Sequence, residues 1–214
     1  MSLPINQYKK LEEKLRLYDK PFIEIEFLQK LLEAFAPNYQ IRNLSFRWLI
    51  SPIIKGKLYL NQVSSQLSKI SELAILAQYG KGKTYAVGGL YLYNQYHFVE
   101  QIAQRITVYN TSHLWYKTIA GRKFIFRKVR PSFFRWMEEV DTQGYGKYIR
   151  MTPERALLQL IIEKKGQLEY EADIYREIKK NAVSLEKLLT LSKEYLSKNN
   201  QLLVHGFLQK WRFL

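Results

Sequence analysis

Turn signals divide the N-terminal part of the chain into short helical segments, and this division constrains the fold more than any other feature. Apolar residues recur at spacings of three and four over residues 5–18, 25–35 and 41–50, which predicts three helices. Residues 53–60 then form two short β-rich runs around a basic turn at Gly56, the pattern of a small hairpin. Three helices and a hairpin predict a winged helix-turn-helix, with the third helix as the recognition helix and the Gly56 turn as the wing.

The pattern changes near Gln62, and the rest of the chain predicts a mixed α/β domain. Helical periodicity is expected over residues 63–79 and 87–96. Three later segments alternate as strands do: residues 105–109, 123–129 and 147–151.

Capping residues place helices in the C-terminal part. Thr152 before Pro153 is an N-cap signal, and Ser184 is a second one. We therefore assign the chain to the α+β class: an N-terminal winged helix-turn-helix followed by a mixed α/β domain with a small sheet and C-terminal helices. The expected boundaries are residues 1–62 for the DNA-binding domain and residues 63–214 for the α+β domain.

Positive charge is concentrated in the middle of the chain. Residues 34–137 hold fifteen Lys and Arg but only two acids, Glu72 and Glu100, and so carry +13 of the formal net charge of +15. A basic centre between near-neutral ends indicates a surface that meets a polyanion. We expect nucleic acid rather than a membrane surface, because the bases are spread over helix and strand patterns and do not form an amphipathic helix.

Composition excludes several classes of protein. The chain has no Cys, which excludes disulfides, thiolate zinc sites and a cysteine nucleophile. No run of residues approaches the roughly 18 apolar positions of a transmembrane helix, and the N-terminus lacks the apolar core of a secretory signal. The three His residues are scattered along the chain. We therefore expect a cytoplasmic protein with no metal, no cofactor and no membrane partner.

The polar side of the third predicted helix holds residue types that can read bases. Arg can pair with guanine and Asn with adenine in the major groove, while Lys on an adjacent wing can contact phosphate. The residues expected to contact DNA are Arg42, Asn43, Ser45, Arg47, Lys55 and Lys57. A solvated helix face without a ligand is the alternative. The apolar residues expected to face inward from this helix are Ile41, Leu44, Trp48 and Leu49.

A second basic cluster lies in the α+β domain, where no acid interrupts residues 101–137. Its bases are Arg105, Lys117, Arg122, Lys123, Arg127, Lys128, Arg130 and Arg135. Strand alternation places Arg127 and Lys128 on opposite faces of a sheet. The aromatic residues among them are expected in the core rather than as platforms for nucleic-acid bases: Phe124, Phe126, Phe133, Phe134 and Trp136.

The glycine pair Gly88-Gly89 is similar to the nucleotide-holding turn of nucleotidyltransferases. Those enzymes need two or three carboxylates on the next strand to hold Mg²⁺, and the strand predicted over residues 105–109 has none. We therefore expect no enzymatic activity and attribute the pair to close backbone packing. The acids Glu138, Glu139 and Asp141 are expected in a solvated loop or as partners of the basic strands.

Several motifs, in order, resemble the type IV abortive-infection antitoxins, the AbiEi-like regulators. The motif Gly56-Lys57-Leu58-Tyr59 is similar to the wing of that family, and the segment TYAVGGLYLYNQY, residues 84–96, is similar to a helix of that family. Its next strand is similar to ITVYNT, residues 106–111, and its glycine-led basic strand is similar to GRKFIFRKV, residues 121–129. The strand, turn and helix that close its core resemble YIRMTPERALLQLI, residues 148–161.

This resemblance implies a regulator encoded beside a nucleotidyltransferase-like toxin. Such a protein represses its own operon by binding double-stranded DNA at its promoter through the winged helix. Its C-terminal domain counteracts the toxin. For antitoxicity the resemblance suggests the basic surface, whose residues are Arg105, Arg122, Lys123, Arg127, Lys128 and Arg130. Two other hypotheses stay open: an RNA-binding protein that uses the surface of residues 105–135, and a diverged nucleotidyltransferase.

Overall fold

A computed structural model describes residues 5–46, 48–168, 171–180 and 183–210, without the side chains of Ile5, Ser45, Phe46 and Glu171. The chain forms two compact units. The first comprises Met1–Lys81, Thr118–Arg122 and Asp141–Gly146; the second comprises Gly82–Lys117, Lys123–Val140 and Lys147–Leu214.

The first unit extends beyond residue 62, where the sequence predicts a boundary. It takes in the helix α4 (Glu72–Gly80), which is capped by Ser71, and the short segment Asp141–Gly146. Tyr145 anchors that segment, because its hydroxyl donates to Gln66 Oε1 at 2.8 Å and its carbonyl accepts from Gln78 Nε2 at 2.7 Å. A functional division at residue 62 stays a prediction.

Three helices and three strands form the N-terminal part of the first unit. In chain order they are α1 (Ile5–Tyr18), β1 (Phe22–Glu24), α2 (Ile25–Phe35), α3 (Ile41–Phe46), β2 (Ile50–Ile54) and β3 (Leu58–Asn61). The strands form an antiparallel sheet in the order β1-β3-β2. The core beneath them is apolar and includes Leu11, Leu15, Ile23, Leu28, Leu44 and Ile50.

The predicted bounds of α1 and α2 are confirmed, but α3 ends earlier than predicted. The chain leaves the helix at Phe46 and enters β2 at Ile50, because Leu49 and Ile50 are buried in the core with the sheet. Pro52 consequently lies within β2. The strand is at the sheet edge, where the missing N–H of a proline is tolerated.

The second unit is organised around a six-stranded mixed sheet with the strand order β6-β7-β5-β4-β9-β8. Its strands are β4 (Tyr85–Gly88), β5 (Ile106–Asn110), β6 (Trp115–Ile119), β7 (Arg122–Lys128), β8 (Met137–Asp141) and β9 (Lys147–Met151). Strand β4 is antiparallel to β5 and parallel to β9, and β5 is parallel to β7.

The helices of the second unit follow its strands, apart from one short helix after β4. They are α5 (Leu90–Gln95), α6 (Pro153–Glu163), α7 (Glu171–Lys179), α8 (Leu185–Tyr195) and α9 (Lys198–Lys210). The predicted caps of α6 and α8 are confirmed. Thr152 Oγ1 accepts from the N–H of Arg155, and Ser184 Oγ accepts from the N–H of Lys187, both at 3.3 Å.

Other predictions for this part of the chain are wrong in detail. The helix expected over residues 87–96 begins only at Leu90, since Val87 and Gly88 belong to β4, and the helix expected over residues 63–79 begins only at Glu72. The three acids expected either in a solvated loop or as partners of the basic strands lie on β8. Glu138 pairs with Arg150 at 2.6 Å and Glu139 pairs with Lys147 at 2.8 Å, so these two acids are partners of the strand β9.

The chain is of the α+β class, as the sequence predicts, but the sheet of the second unit has six strands where the sequence predicts a small sheet. Among the helices in the described ranges, none combines the length and apolar character needed to cross a membrane.

Candidate nucleic-acid interface

The helix α3 carries the residues that the sequence assigns to base contacts. Arg42 is exposed and Asn43 is half-buried. The N–H of Asn43 donates to the carbonyl of Gln40 at 2.9 Å, which closes the first turn of the helix. Arg47 lies outside the described residues, and the side chain of Ser45 also falls outside the description. The described part of α3 therefore offers a guanidinium and an amide to a ligand.

The turn between β2 and β3 carries the two lysines that the sequence assigns to phosphate. Lys55 and Lys57 are both exposed and flank Gly56. Gly56 has φ +74°, and a Cβ there would meet no atom within 4 Å. The turn therefore projects into open space, and glycine adopts its left-handed backbone without strain.

Backbone hydrogen bonds hold this turn in a defined position. The N–H of Lys57 donates to the carbonyl of Ile54 at 3.0 Å, and the carbonyl of Lys57 accepts from the N–H of Ile25 at 2.9 Å. The N–H of Gly56 also donates to the hydroxyl of Tyr59 at 3.3 Å. These bonds tie the turn to both the sheet and the start of α2, so the two ammonium groups extend from an anchored backbone.

The junction between α3 and β2 is also anchored. The N–H of Leu49 donates to the carbonyl of Leu44 at 3.1 Å, and its carbonyl accepts from the N–H of Gln62 at 2.9 Å. The helix end, the start of β2 and the end of β3 are thereby joined. This arrangement brings α3 and the hairpin together as consecutive parts of one folded element.

Trp48 is the clearest departure from the predicted orientation of side chains. The sequence places it on the inward side of a longer helix, whereas its residue is 80% exposed and its φ is +59°. Leu44 and Leu49 are buried as predicted. Because α3 has already ended at Phe46, helical spacing no longer applies to residue 48. Trp48 is an exposed aromatic residue beside the basic elements, and no local sequence signal distinguishes it from a core tryptophan.

The charge around these elements is of one sign along the chain. Residues 34–71 contain no acid and five bases. Fixed negative charge would repel phosphate, so its absence favours a polyanion as ligand. Several acids precede this stretch, and one of them, Asp19, has a carboxylate that accepts hydrogen bonds from Ser65 N–H at 2.8 Å and Ser65 Oγ at 2.9 Å. Those bonds lower the pKa of Asp19.

The second basic cluster is divided between faces of the sheet and between the two units. Its predicted surface residues Arg105, Arg122, Lys123, Arg127, Lys128 and Arg130 are all exposed. Arg127 is in register with Tyr109, whereas the buried Phe124 and Phe126 are in register with Ile106 and Val108 on the other face.

Two of these surface bases differ in their surroundings. Arg122 belongs to the first unit, where it pairs with Glu72 at 3.4 Å. Arg105 lies with its guanidinium 5.4 Å from the ring centre of Tyr116. The core assignment is confirmed for Phe124, Phe126 and Phe133, which are buried, while Phe134 and Trp136 are half-buried.

The Gly88-Gly89 pair ends β4 and precedes α5. A Cβ on Gly88 would lie 2.7 Å from Tyr109 Cε2 and 2.8 Å from Met151 Cε. Close packing therefore requires glycine at this position, as the sequence predicts. In the described portion of the chain, no group of three or more His, Cys, Asp or Glu side chains is arranged to hold a metal ion.

Comparisons with known proteins give similarity of fold only. No family model matches the chain, and no curated protein matches it. The chain is similar in structure to the RV2827C protein from Mycobacterium tuberculosis, known from a crystal structure, with a TM-score of 0.62 and 13% sequence identity. The match covers 97% of this chain and 78% of that chain. At this identity, the similarity supports a shared α+β fold and carries no function.

Proposed function

We propose that this protein is a DNA-binding transcriptional autorepressor and an antitoxin of an AbiEi-like type IV toxin-antitoxin system. The observation that carries the DNA-binding part is the order of elements in the first unit. The order α1-β1-α2-α3-β2-β3 supports a winged helix-turn-helix, and its third helix and hairpin fall within the acid-free residues 34–71.

In this proposal α3 enters the major groove and the hairpin turn lies beside it. Arg42 and Asn43 contact base edges, because guanidinium and amide groups match the donor and acceptor patterns of guanine and adenine. Lys55 and Lys57 contact phosphate, which positions the protein without selecting a sequence. Ser45 and Arg47 belong to the same proposed base-contacting set.

The antitoxin part rests on the family resemblance of the second unit. The proposed partner is a nucleotidyltransferase-like toxin encoded by the adjacent gene. The exposed bases of β7 are the proposed means of neutralisation, with Arg127 and Lys128 as its central residues.

Fluorescence anisotropy with duplex DNA from the protein's own promoter tests the DNA-binding part. We expect Arg42→Ala to weaken binding to this duplex about tenfold or more, and to weaken binding to a scrambled duplex much less. Lys57→Ala should weaken both by a similar factor. Lys10→Ala, at an exposed position of α1, is the control and should change neither. Loss of sequence preference in Lys57→Ala alone would contradict the assignment of α3 as the recognition helix.

RNA binding through residues 105–135 is the second candidate function, and exposed aromatic residues on β6 favour it. Tyr116 is 74% exposed beside Arg105, and Lys117 lies with Nζ 5.5 Å from the ring centre of Trp115. Aromatic rings next to cations can stack on unpaired bases. Competition between promoter duplex and structured RNA discriminates the two functions. Preferential displacement of the duplex by the RNA would favour this second candidate.

A further inference from the structure

The second unit contains a cavity of about 490 Å³. Strands β5 and β7, helices α5 and α6 and the segment of residues 98–105 surround it. Its volume lies in the range of small-molecule sites. Its apolar lining includes Leu90, Phe98, Ile102, Ile125, Leu160 and Leu168. An occupant of this cavity would therefore need a substantial apolar or aromatic portion.

One carboxylate at the cavity is held by donors from three elements. Glu163 lines the cavity and accepts from Tyr93 Oη at 3.1 Å, Tyr109 Oη at 3.4 Å and Gln159 Nε2 at 3.1 Å. Burial raises the pKa of both tyrosines, so each stays a protonated donor at neutral pH. A carboxylate has roughly four acceptor positions, and the three donors among the described residues leave room for one more.

A buried arginine fixes the orientation of Gln159, the third donor to the Glu163 carboxylate. Arg155 is fully buried, and its guanidinium carbon lies 4.7 Å and 4.2 Å from the ring centres of Phe133 and Tyr195. Arg155 Nη1 donates to Gln159 Oε1 at 3.1 Å. Since arginine offers only donors, the amide oxygen of Gln159 must face it, and the amide nitrogen must then face Glu163.

Cationic groups line another part of the same cavity. Arg105 and Arg127 are exposed residues of its lining. Guanidinium groups bind phosphate oxygens through paired, charge-assisted hydrogen bonds. The rest of the lining includes Gly89, Gln101, Gln104, Thr107 and Lys164. Gly89 has φ +66°, and a Cβ there would lie 3.0 Å from Thr107 Oγ1, so glycine lets the backbone approach β5.

We propose that this cavity binds a nucleoside phosphate whose base carries an exocyclic amino group. The amino group donates to Glu163, the base packs against the apolar lining, and the phosphate binds Arg105 and Arg127. A single ligand must supply a donor, a flat apolar ring and an anion to satisfy these three parts. A free mononucleotide and one nucleotide of a single strand share this chemistry.

Isothermal titration calorimetry with the full-length protein tests the proposal with cytidine 5′-monophosphate, uridine 5′-monophosphate and cytidine. We expect the cytidine nucleotide to bind at least tenfold more tightly than the uridine nucleotide, which has no exocyclic amine, and at least tenfold more tightly than cytidine. Arg127→Ala should reduce the ratio of the affinities for the cytidine nucleotide and for cytidine to near one. Glu163→Gln should reduce the ratio of the affinities for the cytidine and uridine nucleotides to near one.

Two further variants separate binding in the cavity from binding elsewhere. Ala103→Phe places a ring in the cavity and should abolish binding, with an unchanged melting temperature showing that the fold survives. Lys187→Ala removes an exposed base of α8 and should change no affinity. A short oligocytidylate that binds at least tenfold more tightly than the mononucleotide identifies a single strand as the source, and equal affinity identifies a free nucleotide. Absence of nucleotide binding at millimolar concentration, or binding that Ala103→Phe does not affect, would overturn the proposal.

Discussion

The dependence of DNA binding on salt follows from the charges that the first unit exposes. Within the acid-free residues 34–71, four described bases are exposed: Arg42, Lys55, Lys57 and Lys69. If each neutralises one phosphate, the slope of log K against log salt is about −3.6. Raising the salt concentration from about 50 to 200 mM should then weaken binding by about 150-fold.

A double substitution in the hairpin turn tests whether these charges act through their position. Lys55→Ala with Lys57→Ala removes two proposed phosphate contacts, so the slope should become about −1.8. The matched control is Lys9→Ala with Lys10→Ala, which removes the same net charge from exposed positions of α1 and should leave the slope near the wild-type value.

Fluorescence anisotropy with a labelled promoter duplex over a salt series provides the measurement. A wild-type slope shallower than about −1 would refute phosphate binding by this stretch. Equal reductions of the slope in the two double variants would refute the placement of the contacts at the hairpin turn, since net charge alone would then explain them.

Three other predictions concern neutralisation and stability. Charge reversal at Arg127 and Lys128 should impair growth rescue from the neighbouring toxin while promoter binding persists; full rescue would contradict the proposed role of β7. Thr152→Ala should lower the free energy of unfolding by about 1 kcal/mol in urea titrations, and Thr152→Ser by much less, because only the hydroxyl caps α6. Hydrogen bonds from Ser65 lower the pKa of Asp19 below its ordinary 3.8. The ionised carboxylate therefore stabilises the folded state at pH values above 3.8. This stabilisation is lost as the pH falls through the lower pKa of the folded state, and Asp19→Asn should remove this part of the acid dependence.

Local chemistry allowed the sequence to predict several elements closely. Apolar spacing and the following turn residues define α1 and α2, whose predicted bounds match the structure. The starts of α6 and α8 depend on a hydroxyl that accepts from an N–H three residues later, so Thr152 and Ser184 reveal them. Each of these signals lies within a few residues of the structure that it determines.

Such local signals do not predict strands that form by pairing with distant parts of the chain. The strand β1 has three residues and exists through its pairing with β3, where Phe22 faces Leu60. The strands β6 and β8 are the two edges of the larger sheet, and the acids of β8 acquire their ion partners only through β9. The early end of α3 has the same cause, since burial of Ile50 with the sheet takes precedence over helical spacing.

The proposed DNA-binding site and the cavity also differ in how far the sequence predicts them. Residues 41–57 form the proposed DNA-binding elements and are near neighbours in the chain, so their charge and turn chemistry were visible in the sequence. The cavity of the second unit joins Thr107, Arg127 and Glu163 from β5, β7 and α6. No spacing in the sequence relates these residues, because the parallel pairing of β5 with β7 and the packing of tyrosines against Glu163 bring them together.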